Sequence, residues 1–125
     1  MLNKNDSLAP EMNLNATLAL GDARVEGVDL DELPIGTVLE IKTEHHSYRL
    51  ENLGNGSAVI SGHPKYCPEP LTVQIHGSFA TNCALKWHFV GAGMKLAFLP
   101  PHHGLIGTSR IDGIRILRPR PQGSN

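Results

Sequence analysis

Between Leu71 and Leu99, apolar and polar residues alternate along three successive segments of the sequence. A period of two places neighbouring side chains on opposite faces of a strand, so each segment is typical of a half-buried β-strand. The apolar positions are Leu71, Val73, Ile75 and Phe79, then Cys83, Leu85, Trp87 and Phe89, then Met94, Leu96 and Phe98. The pattern predicts an antiparallel meander with one apolar face, and therefore an all-β fold.

Two short turns set the register that is predicted for this meander. A loop after the first strand places Ile75 opposite Trp87, and a turn at Gly91-Ala92 places Trp87 opposite Leu96. All the apolar residues of the three strands then share one face. In this register the indole of Trp87 faces the core.

A hairpin is predicted on the N-terminal side of the meander. A strand over 35–41 turns back so that Ile41 faces Tyr48 on the inner side of the sheet. The same register pairs Glu40 with Arg49 on the outer side, as an exposed ion pair. Because an incorrect register would not be expected to match both faces, this pairing is well specified.

Turn residues divide the rest of the chain. Asn55-Gly56 is a strong signal for a tight hairpin and leads into a central strand over 58–60. Near the C-terminus, a polar turn at Asp112-Gly113 precedes a short Ile-rich strand over 114–117, an ending that resembles that of SH3-like barrels. Residues 21–33 are acidic and are predicted to be irregular.

These elements predict a single small antiparallel barrel or barrel-like sandwich, SH3-like in character, of about seven to eight short strands. No helix is expected. The barrel is assigned to residues 23–118. It follows a flexible arm over 1–22, which includes a candidate edge strand over 13–20, and precedes a frayed tail over 119–125.

Charge is distributed unevenly, although the formal net charge is −1 at pH 7. Residues 1–60 hold ten acidic residues and four Lys or Arg, whereas residues 61–125 hold two and seven. The two halves can neutralise each other within one barrel or between subunits, which we favour over a nucleic-acid surface. We find no apolar run that would span a membrane and no signal peptide, so a cytoplasmic location is expected.

Seven histidines and two cysteines raise the hypothesis of a zinc or nickel site. His63-x3-Cys67 and Cys83-x4-His88 together supply four side chains of the kinds that bind zinc. The strand pattern opposes this set, because Cys83 is predicted to face the core and His88 the other side. The candidate metal ligands outside that strand are His63, Cys67, His102 and His103.

The outer face of the meander is the second candidate site, for an anionic ligand. The predicted register forms a polar strip of four residues there, and two arginines of the basic C-terminal end are further candidates that could contact phosphates. The alternative is a solvated outer face without a ligand. The candidate ligand-binding residues are Gln74, His76, Lys86, His88, Arg110 and Arg115.

Nucleic-acid binding is a further alternative, which the sequence does not favour. The basic residues of the second half are Lys65, Lys86, Lys95, Arg110, Arg115, Arg118 and Arg120. Binding of single strands usually adds exposed aromatic side chains for stacking. Here Tyr66 is the one aromatic residue that is predicted to be exposed.

No sequence motif for a nucleophile elbow, a phosphate-binding loop, a dinucleotide-binding fold or a helix-borne metal is found. Cys67, in a loop framed by prolines, is the best candidate nucleophile if the chain is an enzyme. We therefore expect a non-catalytic binding or interaction module without a cofactor. A protein or a second copy of the chain is the favoured partner, and a small anion, a metal and a nucleic acid are the alternatives.

Overall fold

The computed structural model describes residues 23–80 and 84–117. These residues form ten strands and one short 3₁₀ helix over Leu30–Glu32. The strands are β1 (Ala23–Val25), β2 (Gly27–Asp29), β3 (Val38–Thr43), β4 (Ser47–Gly54), β5 (Ser57–Ser61), β6 (Leu71–Phe79), β7 (Lys86–Trp87), β8 (Phe89–Gly91), β9 (Lys95–Leu99) and β10 (Ile106–Leu117). Among these residues, no helix has the length and apolar character needed to cross a membrane.

Six antiparallel strands close into a barrel in the order β3-β4-β5-β6-β9-β10, and β10 pairs with β3 to complete the ring. The prediction of a small all-β barrel is confirmed. Strand β1 extends the sheet beside β10, β7 lies beside β6, and β2 pairs with β8 in a separate ribbon. In a ring of six, β3 and β6 lie on opposite sides of the barrel.

The predicted hairpin of β3 and β4 is confirmed on its inner face. Ile41 pairs with Tyr48 and both side chains are buried. Glu40 does lie opposite Arg49, as predicted. However, the salt bridge of Glu40 is with Arg115 on the other neighbouring strand, at 3.5 Å between Oε1 and Nε.

The predicted tight turn between β4 and β5 is also confirmed. Asn55 and Gly56 both have positive φ, of 55° and 79°, as a two-residue type I′ turn requires. The central strand that follows buries Ala58 and Ile60 completely.

The predicted register of the meander is wrong after β6. Ile75 pairs with Phe98 of β9, and Trp87 pairs with Gly77 instead of Ile75. β7 is only two residues long and ends at Trp87, and the next residue, His88, has a φ of +57° that turns the chain away from β6. β8 then pairs with β2, and β9 takes the remaining place beside β6, where the fully buried Phe98 enters the core.

Two further predictions are corrected near the ends of the described chain. The predicted turn at Asp112-Gly113 is a β-bulge within one continuous strand, because β10 must bend from β9 to β3. The segment predicted to be irregular contains β1 and β2. It also contains the single 3₁₀ turn of the described chain, and the buried Asn52 amide donates to the carbonyls of Leu30 and Leu33.

Several sequence-based predictions lie outside the described residues. They concern the arm over 1–22 with its strand over 13–20, the tail over 119–125, and the side chains of Cys83, Arg118 and Arg120.

Candidate functional site

Trp87, the one tryptophan of the chain, is exposed on the outside of the barrel. It keeps 63% of its surface accessible, although the sequence pattern predicts a core position. Its ring centroid lies 5.2 Å from that of His76 and 6.1 Å from that of His88. Lys86 precedes it on the same edge strand. We call these four residues, His76, Lys86, Trp87 and His88, the Trp87 surface.

A glycine allows β7 to lie this close to β6. Gly77 has a φ of +140°, and a Cβ atom at this position would overlap the carbonyl oxygen of Lys86. The backbone N–H of His88 donates to the carbonyl of His76 at 2.9 Å and closes the contact at its other end. The backbone of β6 therefore fixes the position of Trp87.

His88 is the most constrained residue of the Trp87 surface. Its Nδ1 atom lies 3.0 Å from both carboxylate oxygens of Asp31. Its ring packs over Gly56 of the β4–β5 turn, and its carbonyl accepts from the N–H of Leu30 at 2.8 Å. These contacts tie β7 to the 3₁₀ helix and to the turn, so His88 acts as a positioning residue for its neighbour Trp87.

The structure therefore brings three of the predicted ligand-binding residues together, but around Trp87 and not in the predicted strip. Lys86 lies opposite Ser78, and its Nζ atom is 4.9 Å from the ring centroid of Phe89. Gln74 is further along β6, where its amide donates to the Ser57 hydroxyl at 2.9 Å.

A groove of about 510 Å³ forms a second candidate site, on the outer face of β1, β10 and β3. Residues from four adjacent strands line it, because Ser47 at the start of β4 also contributes, and five of the eight are charged. The lining residues are Arg24, Glu40, Lys42, Ser47, Asp112, Gly113, Ile114 and Arg115. We call this depression the cationic groove.

Arg115 belongs to the cationic groove, whereas Arg110, the other arginine predicted to bind a ligand, does not line it. The guanidinium of Arg110 donates to the Glu44 carboxylate at 3.1 Å. Its Nε atom lies 4.0 Å from Asp112. Arg110 therefore links β10 to the turn between β3 and β4.

A row of histidine and tyrosine rings connects the β3–β4 turn with two loops. The ring centroid of His63 lies 4.4 Å from that of His46 and 4.7 Å from that of Tyr66. The Tyr66 ring in turn lies 5.1 Å from His103. The Tyr48 ring lies 6.4 Å from that of His63, and burial and then the neighbouring Cys67 raise the pKa of Tyr48 to about 12.

His63 is held in one tautomer by its own loop. Its Nδ1 atom accepts from the backbone N–H groups of Lys65, at 3.0 Å, and Tyr66, at 3.3 Å. Burial, then the neighbouring His46, then Lys65 lower the pKa of the imidazole. The neutral ring therefore carries its proton on Nε2, and the lone pair on Nδ1 is already engaged by the two backbone N–H groups.

The described residues hold no group of three or more His, Cys, Asp or Glu side chains arranged for a metal ion. Cys67 is buried, and burial raises the pKa of its thiol, which favours neither metal binding nor nucleophilic attack. His103 contacts the Gly104 carbonyl, and His102 is exposed. The four candidate metal ligands do not form one site, and a set that includes Cys83 lies outside the described residues.

Comparison with known proteins gives no relative: no family model, curated protein or solved structure matches the chain. Its function must therefore be inferred from the geometry of the Trp87 surface and the cationic groove.

Proposed function

We propose that this chain is a non-catalytic binding module that holds a protein partner at the Trp87 surface. The observation that carries the proposal is the exposure of Trp87 on a support that fixes its position. An exposed tryptophan gains more from burial by a partner than almost any other side chain, because of its large apolar area. Its neighbours His76 and Lys86 supply a polar rim.

Two features favour a protein over other partners. Tryptophan is among the residues that most often dominate the binding energy of protein interfaces. In addition, β7 lies at the end of its sheet, where an extended segment of a partner can add a strand. A second copy of this chain is one such partner, and self-association is then the expected behaviour at high concentration.

The binding test uses a matched pair of variants. Random peptides displayed on phage are selected on the wild-type protein and then measured against Trp87→Ala and Leu105→Ala. Leu105 is the control because it is also apolar and is 54% exposed. We expect the selected peptides to bind Trp87→Ala about tenfold or more weakly, as for an interface anchor, and to bind Leu105→Ala as well as wild type.

Equal binding to both variants would contradict the proposal, as would a selection that yields no specific peptide. Light scattering on the same proteins tests self-association, since a mass that falls with Trp87→Ala but not with Leu105→Ala assigns the contact to Trp87. Because Trp87 is exposed, its substitution should change the free energy of unfolding by less than about 0.5 kcal/mol.

Single-stranded nucleic acid is a second candidate ligand for the same surface. Trp87 supplies the exposed stacking face that the sequence pattern places in the core. Only Lys86 adds a cation next to it among the described residues, and the cationic groove lies on the other side of the barrel. Quenching of Trp87 fluorescence by an oligonucleotide at low salt, with an affinity that falls steeply as salt rises, would favour this candidate.

A cytoplasmic setting is part of the proposal. Its support is Cys67, which is buried as a free thiol. Such a thiol behaves as a small apolar side chain and is compatible with a reducing compartment.

A further inference from the structure

We infer that the cationic groove binds a compact phosphate-bearing ligand, such as a diphosphate or a phosphate monoester. This site is separate from the Trp87 surface. The groove is formed by β1, β10, β3 and the first residue of β4, whereas Trp87 lies next to β6. Since β3 and β6 lie on opposite sides of the barrel, one small ligand cannot contact both.

The first observation is a row of like charges across adjacent strands. Arg24 of β1 is directly opposite Arg115 of β10, which is opposite Glu40, which is opposite Arg49. Like charges placed directly opposite each other destabilise a sheet. Arg24 and Arg115 are the like-charged neighbours of this row, and both line the groove. An anion bound between them would relieve their repulsion.

The second observation is that, apart from Arg115, the basic side chains of this row and of the groove lack a carboxylate partner among the described residues. Arg115 bonds to Glu40 at 3.5 Å. Among residues 23–80 and 84–117, no carboxylate forms a salt bridge with Arg24, Lys42 or Arg49. Three basic and two acidic side chains line the groove, which leaves an excess of one positive charge. Two of the basic groups are guanidinium groups, whose planar donors match phosphate oxygens.

The third observation is the shape of the site. The register of β10 against β3 shifts between Ile111 and Gly113, which creates a bulge at the floor of the groove. Gly113 has no side chain to fill this space. A Cβ atom there would lie 3.4 Å from the Arg24 guanidinium. On the other wall, Lys42 and Ser47 contribute an ammonium and a hydroxyl group.

The same walls favour a compact ligand over a polyanion. Glu40 and Asp112 line the groove beside the arginines. A long nucleic-acid backbone would have to pass these carboxylates, whereas a phosphate or diphosphate group can sit between the cations. Two arginines can each form a pair of parallel hydrogen bonds with one phosphate group. A polyanion, whose charges are spread along a chain, offers fewer such contacts within one small groove.

The experiment titrates the full-length protein with inorganic pyrophosphate in phosphate-free buffer, by calorimetry and by the NMR shift of the Gly113 amide. We expect Arg24→Gln and Arg115→Gln each to weaken binding about tenfold, as for loss of a charged hydrogen bond. Lys95→Gln is the matched control, since it removes one positive charge outside the groove and should bind as wild type. Glu40→Gln should bind more tightly, because its carboxylate competes with the ligand for Arg115.

The inference is overturned if pyrophosphate does not bind, or if Lys95→Gln weakens binding as much as Arg24→Gln. A single-stranded oligonucleotide that binds in the groove more tightly than pyrophosphate would overturn the assignment to a compact ligand. If Arg24→Gln does not fold, Arg24→Lys is measured instead. This substitution keeps the positive charge but removes the planar guanidinium group that can bind phosphate through two parallel hydrogen bonds. Weaker binding of Arg24→Lys supports the site, and unchanged binding contradicts it. Neither result depends on the binding of a protein at Trp87.

Discussion

The Trp87 surface and the cationic groove lie on opposite sides of one barrel and are built in different ways. Backbone constraints hold Trp87 outward: Gly77 has a conformation that other residues rarely adopt, and His88 has a positive φ. In the cationic groove, charged side chains stand on strands that pair in regular register on either side of one bulge. We therefore expect substitutions that alter the backbone to disrupt the Trp87 surface. Substitutions that alter charge should change ligand binding and stability at the cationic groove.

The largest effect is expected at Gly77, on the Trp87 side. Gly77→Ala combines a strained φ with an overlap between the new Cβ and the Lys86 carbonyl, so we expect a loss of more than about 2 kcal/mol in the free energy of unfolding. Gly93→Ala is the matched control, because Gly93 has a φ of +84° but open space around its Cβ direction. It should cost about 1 kcal/mol. Urea denaturation measures both, and equal losses would mean that β7 does not depend on its close approach to β6.

The next prediction concerns the pH dependence of stability. It applies to the loop at His63, where backbone N–H groups also constrain a side chain. The pKa of His63 is lowered in the folded protein, so the unfolded chain binds its proton more readily. The contribution of neutral His63 to the free energy of unfolding is complete above its ordinary pKa of about 6.5. It is lost as the pH falls through the lower pKa that His63 has in the folded protein.

Denaturation at a series of pH values checks this expectation against His63→Asn, which keeps an acceptor near the two N–H groups but does not titrate. The variant should lose less stability than wild type as the pH falls below about 6.5. An identical pH dependence in the two proteins would show that the His63 ring is not the group responsible.

A smaller effect of opposite sign is expected in the cationic groove. In buffer without phosphate, Arg24→Gln removes the repulsion between Arg24 and Arg115 and should raise the free energy of unfolding by about 0.5 kcal/mol. Lys95→Gln should leave it unchanged. A loss of stability in Arg24→Gln would show that Arg24 stabilises the fold through contacts that outweigh the repulsion. It would contradict the view that charge repulsion distinguishes the cationic groove from the Trp87 surface.

The smallest effect is expected from metal ions. Since Nδ1 of His63 accepts two backbone N–H groups and Cys67 is buried, a stoichiometric amount of zinc should leave the melting temperature unchanged. Thermal melts with zinc and with a chelator provide the measurement. A rise in melting temperature at one zinc per chain would support the metal-binding alternative instead.

The contrast also explains how much of the molecule could be predicted from its sequence. The β3–β4 register was specified twice, by the inner pair of Ile41 with Tyr48 and by the outer residues, and the structure confirms it. Asn55-Gly56 determined its turn through local backbone preferences. Both predictions depend on interactions between residues that are close in the chain.

The two candidate sites depend on long-range pairing, which a period of two does not determine. Alternation around Trp87 is satisfied equally by a core strand and by a short edge strand, and it cannot show that β9 occupies the place beside β6. Gly77, inside a strand pattern, was the available signal, since such a glycine often marks a close approach of two backbones. Arg24 lay in a segment predicted to be irregular, so its position opposite Arg115 could not be foreseen.

The exposure of Trp87 is the central claim, and the fluorescence of the native protein tests it most directly because the chain has a single tryptophan. We predict an emission maximum close to that of the urea-unfolded chain, together with rapid quenching by acrylamide. A strongly blue-shifted emission that acrylamide quenches slowly would place the indole in the core, as the alternating sequence pattern suggests, and would contradict the proposed binding surface.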